Sequence, residues 1–319
     1  MQSNSLITPI FNNGQVLVSI RQATTDFLRR CGLPHANIAN IAIDKVLYSE
    51  CYQEAINRGF PMDGKYSLRP YMDIGVAVSH IYAHLPDRAT RMWICLFTIL
   101  LICIDDMMDK GDDLVNMYSF YERFVNKQSQ GDPVLNVLDA LLRDVVCYYS
   151  SPVSNLIVTS TFDFISSILL DNETKDMQIL TETPSYPDYL GMLSGMPAAY
   201  SLFIFPSTLP LQEYVQCMPD LAIIINHTND ILSYYKEEIE GDTMNYVSRV
   251  AVSRGLTKQD ALQETIEKTV QAHHNILKCL RLHAETCNAY VRFFYGFAIK
   301  FHAALRRYKL EEITSESSH

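Results

Sequence analysis

Twelve residues in unbroken succession, Trp93–Ile104 (WICLFTILLICI), carry no charge, and the nine that follow, Asp105–Asp113, hold five carboxylates. A segment this apolar is driven out of water. Counting Met92 it spans 13 residues, short of the ~20 that cross a bilayer, so it is expected to be a buried core helix. No stable membrane span is expected. The end of that helix is then a fixed point where charge meets the core. Asp105 and Asp109 stand at i and i+4, on one helical face. Their mutual repulsion, and the partial negative charge of a helix C-terminus, are both relieved by a divalent cation. Hard oxygen ligands with open positions suit Mg²⁺. The alternative is a solvated acidic helix end.

The rest of the chain fits one all-α fold. Of 319 residues, 48% are apolar and 19% charged, against the roughly 25% charge of average domains. This excludes wholesale disorder, and the sparse glycine (12) and proline (13) argue against a turn-rich β fold. With a net charge of −10 and no basic-aromatic patch, nucleic acid is not an expected partner. The eight cysteines form no C-x-x-C pair. They read as buried free thiols in a reducing, cytoplasmic compartment, and the N-terminus has no secretory pattern. Helices are expected at about 17–31, 37–58, 72–84, 88–109, 114–128, 134–149, 152–170, 187–204, 211–239, 243–254, 257–287 and 289–312. Residues 1–319 then form a single domain, with 1–15 and 314–319 flexible and 171–187 a candidate mobile loop.

A second polar cluster follows another apolar stretch, LAIIIN. Asn229, Ser233 and Glu237 step by four and share one helical stripe of oxygen donors. Lys236 beside them can meet an anion. A polar helix end is the bland alternative. Near the C-terminus, Arg306-Arg307-Tyr308 closes a helix carrying Tyr290, Phe294, Phe297 and Phe301, with Tyr308 expected on about the same stripe. A guanidinium there suits phosphate, although a basic helix end is also favoured by the dipole alone. His80 and His84 make a nominal zinc pair without a third ligand, so they read as structural. His273-His274 reads as solvated.

Taken together these motifs resemble class I terpene cyclases, and among them the trichodiene synthase-like family. The resemblance covers roughly residues 66 to 313. It rests on Leu68-Arg69-Pro70, the D-D-x-x-D run from Asp105, Tyr186-Pro187, the N-D-x-x-S-x-x-K-E run at 229–237, and Arg306-Arg307-Tyr308-Lys309-Leu310 with Glu312-Ile313. It implies a helical bundle or barrel around an apolar cavity. Three Mg²⁺ ions would hold the diphosphate of a linear isoprenoid, usually farnesyl diphosphate, which is ionised and cyclised to a sesquiterpene with release of diphosphate.

By the same resemblance Asp105, Asp109, Asn229, Ser233 and Glu237 look like metal ligands. Lys236, Arg307 and Tyr308 look like diphosphate donors, Asp106 like the partner of Arg307 on closure, and Arg69 like a further diphosphate contact. Phe97, Tyr200, Phe203, Phe294, Phe297 and Phe301 are candidates for cation-stabilising cavity walls, each also explained by core packing. A homodimer is suggested by resemblance only. The chain departs from the family at Gly191, where the pattern has a diphosphate-sensing arginine. No Lys or Arg occurs between Lys175 and Lys236. Two alternatives stay open: a chain-elongating prenyltransferase, and a weak or silent isoprenoid diphosphate-binding protein.

Overall fold

Asp44 shows how local chemistry sets the element boundaries. Its carboxylate accepts from the Val46 and Leu47 amides at 2.9 and 3.0 Å, capping a helix that begins at Lys45, eight residues later than the sequence pattern starts it. Asp132 does the same for Val134 and Leu135, with Pro133 at the first helical position.

The computed structural model describes residues 13–109 and 114–315, without the side chains of Asn13 and 107–109. Ten helices of nine or more residues carry the fold. In chain order they are α1 (Asn13–Arg30), α2 (Lys45–Asn57), α3 (Arg88–Asp109), α4 (Pro133–Asp144), α5 (Ser151–Thr174), α6 (Tyr186–Ser194), α7 (Met218–Glu240), α8 (Tyr246–Arg254), α9 (Lys258–Leu280) and α10 (Ala284–Tyr295). Short helical turns join them, and no strand occurs among the described residues. The all-α expectation therefore stands.

Several expected boundaries shift for physical reasons. Helix α1 begins at Asn13, and Arg21 donates to the Ser315 carbonyl and hydroxyl at 3.0 and 2.8 Å. The expected flexible stretches thus overlap helix α1 at 13–15 and, at Ser315, a residue hydrogen-bonded to Arg21. Helix α5 runs on to Thr174, shortening the expected loop. The expected 187–204 helix breaks at Gly195-Met196, where Met196 has φ of 47°. The last long helix changes character at Gly296–Phe301, a π-helical segment, and ends before Leu305, whose backbone is extended.

The core is organised around α3. Trp93 stacks on Phe97 at 5.0 Å, and Phe203 meets both rings edge-on. The Trp93 indole N–H donates to the Leu141 carbonyl at 3.2 Å, so the large ring is buried without an orphaned donor. Each such fully buried aromatic contributes about 1.5–3 kcal/mol over an exposed one. Helix α7 packs along α9 and against the short helix Pro197–Leu202. Helix α5 is long and apolar enough to span a bilayer by length and composition, but half of its apolar window is buried inside the protein, as expected for a core helix.

The thiols are free, but not all are buried. Cys31, Cys51, Cys95, Cys103 and Cys217 are, whereas Cys147 and Cys279 are exposed. The histidines also need one correction. His273 is buried, bonded to the Tyr290 hydroxyl at 2.8 Å and stacked on Phe294. The apolar face of α9, not its polar surface, holds it. His84 sits 2.7 Å from the Ile204 carbonyl, a structural role.

Candidate active site

Helix α3 carries the first acidic cluster from the core to its rim. Asp105 is exposed there and Asp106 half-buried. The side chain of Asp109, like Asp112 and Asp113, lies outside the described residues. The Tyr71 hydroxyl donates to Asp106 Oδ2 at 3.0 Å. Tyr71 was not anticipated as a contributor. It sits just after Leu68-Arg69-Pro70, in a short turn that only tertiary packing brings to α3.

Helix α7 brings the second cluster. Ser233 is buried, and Asn229, Lys236 and Glu237 are half-buried on the same helix. Gly241 ends the helix in the left-handed region (φ 73°), and the Asp242 amide closes the turn on the Glu237 carbonyl at 2.9 Å. Burial raises the pKa of the Glu237 carboxyl. The Ser233 hydroxyl and the Lys236 ammonium pull it back, and Asp230 and Asp242 push it up further. The Lys236 ammonium lies 3.7 Å from Glu237 and 4.0 Å from Glu240.

Tyr308 links these parts. Its hydroxyl accepts from Arg307 Nη2 at 3.1 Å and donates to Asn229 Oδ1 at 3.4 Å. The guanidinium of Arg307 lies 5.0 Å from the Tyr308 ring centre and the Lys236 ammonium 5.9 Å. Partial burial works against the charge on Arg307. Tyr308, Asp106 and Glu240 together outweigh it, so its pKa is raised. Arg307 therefore feels Asp106 on α3 while bonding a residue that reaches α7. Arg69 is not drawn in. It bonds the Tyr52 hydroxyl at 2.7 Å and pairs with Asp63 at 3.5 Å.

Beside Asn229 opens a cavity of about 350 Å³, within the size range of small-molecule sites. Of the aromatic candidates, Tyr200, Phe297 and Phe301 line it. Phe97 and Phe203 are instead committed to the Trp93 stack, and Phe294 to His273. Tyr82 and Phe293 line the cavity unanticipated. Nor does Tyr308 continue the aromatic stripe along one helix. The extended backbone at Leu305 puts it in a separate Arg306–Tyr308 turn, folded back so that its ring is 5.8 Å from Phe301.

Polar side chains of the cavity lining include Asn226, His227, Asn229, Asp230 and Arg249. Asp230 Oδ2 lies 3.0 Å from His227 Nδ1, and burial raises its carboxyl pKa. Among the described residues no three His, Cys, Asp or Glu side chains cluster as a metal site. The Asn229, Ser233 and Glu237 stripe is instead a mixed amide, hydroxyl and carboxylate oxygen set. Its half-buried carboxylate, whose pKa burial raises, gains from a cation, so a hard divalent ion such as Mg²⁺ fits.

A family model described as Trichodiene synthase (TRI5) matches residues 70–319. This chain belongs to the trichodiene synthase family. Alpha-cuprenene synthase COP6 of Coprinopsis cinerea is 32% identical over 303 residues, covering 94% of this chain and 91% of that protein. Terpene synthase BipA of Cochliobolus sativus is 32% identical over 266 residues, with coverage of 82% and 80%. The solved linalool/nerolidol synthase of Streptomyces clavuligerus superposes with a TM-score of 0.60 at 11% identity, covering 86% of this chain and 96% of that one. That likeness establishes the class I helical fold. Membership in the trichodiene synthase family, with relatives named as terpene synthases, makes this chain a terpene cyclase.

Proposed function

We propose that the enzyme ionises and cyclises farnesyl diphosphate with Mg²⁺, releasing inorganic diphosphate and a sesquiterpene. The observation that carries this reading is the run Asp106, Arg307, Tyr308, Asn229, which links the two polar clusters and ends on a residue lining an apolar cavity. In this reading Asn229, Ser233 and Glu237 hold one ion, and Asp105 with Asp109 holds others. Bound Mg²⁺ supplies Lewis-acid stabilisation of the departing diphosphate. Lys236, Arg307 and Tyr308 donate hydrogen bonds to that diphosphate, an electrostatic clamp aimed at developing charge. Asp106 orients Arg307 across the mouth. Arg69, engaged with Tyr52 and Asp63, is left out of the resting arrangement.

The cavity supports the second half of the reaction. An allylic cation is captured by water unless water is excluded, and walls of Phe297, Phe301 and Tyr200 exclude it while folding the chain into one reactive conformer. Their π faces favour migrating positive charge.

The test is turnover of farnesyl diphosphate with analysis of volatile products. Asp105→Asn and Glu237→Gln are each expected to lower turnover by about 10²-fold, roughly 3 kcal/mol in the barrier, and EDTA to abolish it. Near-full activity in either variant or in EDTA overturns the metal assignment. A longer linear prenyl product would indicate chain elongation, and binding without product a silent protein.

A further inference from the structure

Arg249 is the one lysine or arginine lining the cavity among the described residues. It comes from α8 and is half-buried, with Nε buried and no hydrogen-bond partner in the described structure. The two carboxylates that line the cavity with it are taken. Asp188 binds Arg254, Lys268 and the Tyr246 hydroxyl, each at 2.8 Å, and Asp230 is held by His227. Asp171 feels Arg249, which offsets part of the burial that raises its pKa. A guanidinium facing an apolar cavity in this state is costly until an anion meets it. Its planar fork of donors selects carboxylate or phosphate.

Its position points to phosphate. Arg249 lines the same cavity as Asn229, the residue that Tyr308 reaches. Gly191 lines the same cavity without a side chain, and a Cβ there would meet only Asn226 Nδ2, at 3.5 Å. That part of the wall is open, and Arg249 of α8 lines the same cavity.

We propose that Arg249 is a substrate-contacting residue that binds the diphosphate of the isoprenoid, in the place where position 191 offers no side chain. The inference rests on the isoprenoid diphosphate reading above. Arg249 supplies a cation from the cavity side while Lys236 and Arg307 act from the mouth, so the leaving group is gripped from two directions. A structural alternative would make Arg249 a counter-ion for Asp171.

Calorimetry with inorganic diphosphate and Mg²⁺, the melting temperature without ligand, and farnesyl diphosphate turnover separate the two. Arg249→Gln is expected to weaken diphosphate binding at least tenfold and to lower kcat, with the ligand-free melting temperature unchanged or raised. Wild-type diphosphate affinity in Arg249→Gln overturns the inference. So does a lowered ligand-free melting temperature with affinity per folded molecule unchanged, which is the counter-ion result. If Arg249→Gln does not fold, Arg249→Lys decides: a folded variant binding diphosphate at least threefold more weakly supports the role, and wild-type affinity overturns it. A wild-type protein that neither binds diphosphate nor turns over farnesyl diphosphate removes the underlying reading. Wild-type binding indifferent to Arg249 removes this inference alone.

Discussion

Phe301 stands where the hydrocarbon cavity meets the polar cluster. It lines the cavity, with Phe297 at 6.1 Å on one side and Tyr308 at 5.8 Å on the other. A diphosphate bound at Tyr308 leaves the first carbons of its chain beside this ring. Phe301→Leu keeps the apolar volume but removes the π face, worth about 0.5–2 kcal/mol to a nearby cation. The expected result is earlier quenching: more acyclic or monocyclic product, with ionisation little changed. Gas chromatography of the products checks this, and an unaltered profile with a lower melting temperature would assign the ring to core packing. Which aromatics belong to this wall was only partly legible. Tyr200, Phe297 and Phe301 are at the cavity, but Phe97, Phe203 and Phe294 differ from them in nothing the sequence displays. Side-chain type marks a ring as buried, and helix phase decides whether it faces a neighbour or an empty space.

At the scale of elements, stripes within one regular helix were readable and relations between elements were not. Asn229, Ser233 and Glu237 lie on α7 as a four-residue step demands. The aromatic stripe failed beyond Phe301, because the extended backbone at Leu305 ends the helix before Tyr308, after a π turn at Gly296–Phe301 that already departs from the α period. Such a segment leaves no periodic mark in the sequence. Tyr71 beside Asp106, and Arg249 lining one cavity with Asn226, are products of packing between distant segments, equally invisible to spacing. The π segment has a specific support. A Cβ on Gly296 would lie 2.4 Å from the His80 carbonyl oxygen, so only glycine lets this backbone approach so closely. Gly296→Ala must push the segment away, an overpacking cost of about 1–3 kcal/mol, and would move Phe297 and Phe301 with it. Denaturant unfolding should show that loss, and product analysis a broader mixture. Wild-type stability and products together would mean that the segment yields freely.

For the whole molecule, burial of ionisable groups sets how stability follows pH. Burial lowers the pKa of His273 from 6.5 to about 4, with His274 adding to it, and burial likewise brings His302 to about 4. Between pH 6.5 and 4 the unfolded chain therefore takes up protons that these folded imidazoles refuse, so stability falls as pH falls through that window. Each imidazole contributes up to about 3 kcal/mol by pH 4. Asp230 and Glu237 act in the opposite sense: burial raises both pKa values, so their protonation in the folded state recovers part of the loss on acidification. The imidazole effect grows if Glu237 is neutralised by a cation, because a bound ion keeps that carboxyl charged to lower pH. Urea unfolding at pH 7, 5.5 and 4.5 in the presence of Mg²⁺ should therefore show a steeper decline than in EDTA. His273→Gln should flatten both curves, since glutamine does not titrate. Stability that stays level or rises from pH 7 to 4.5 would show that the carboxyl groups, not the imidazoles, govern the acid response.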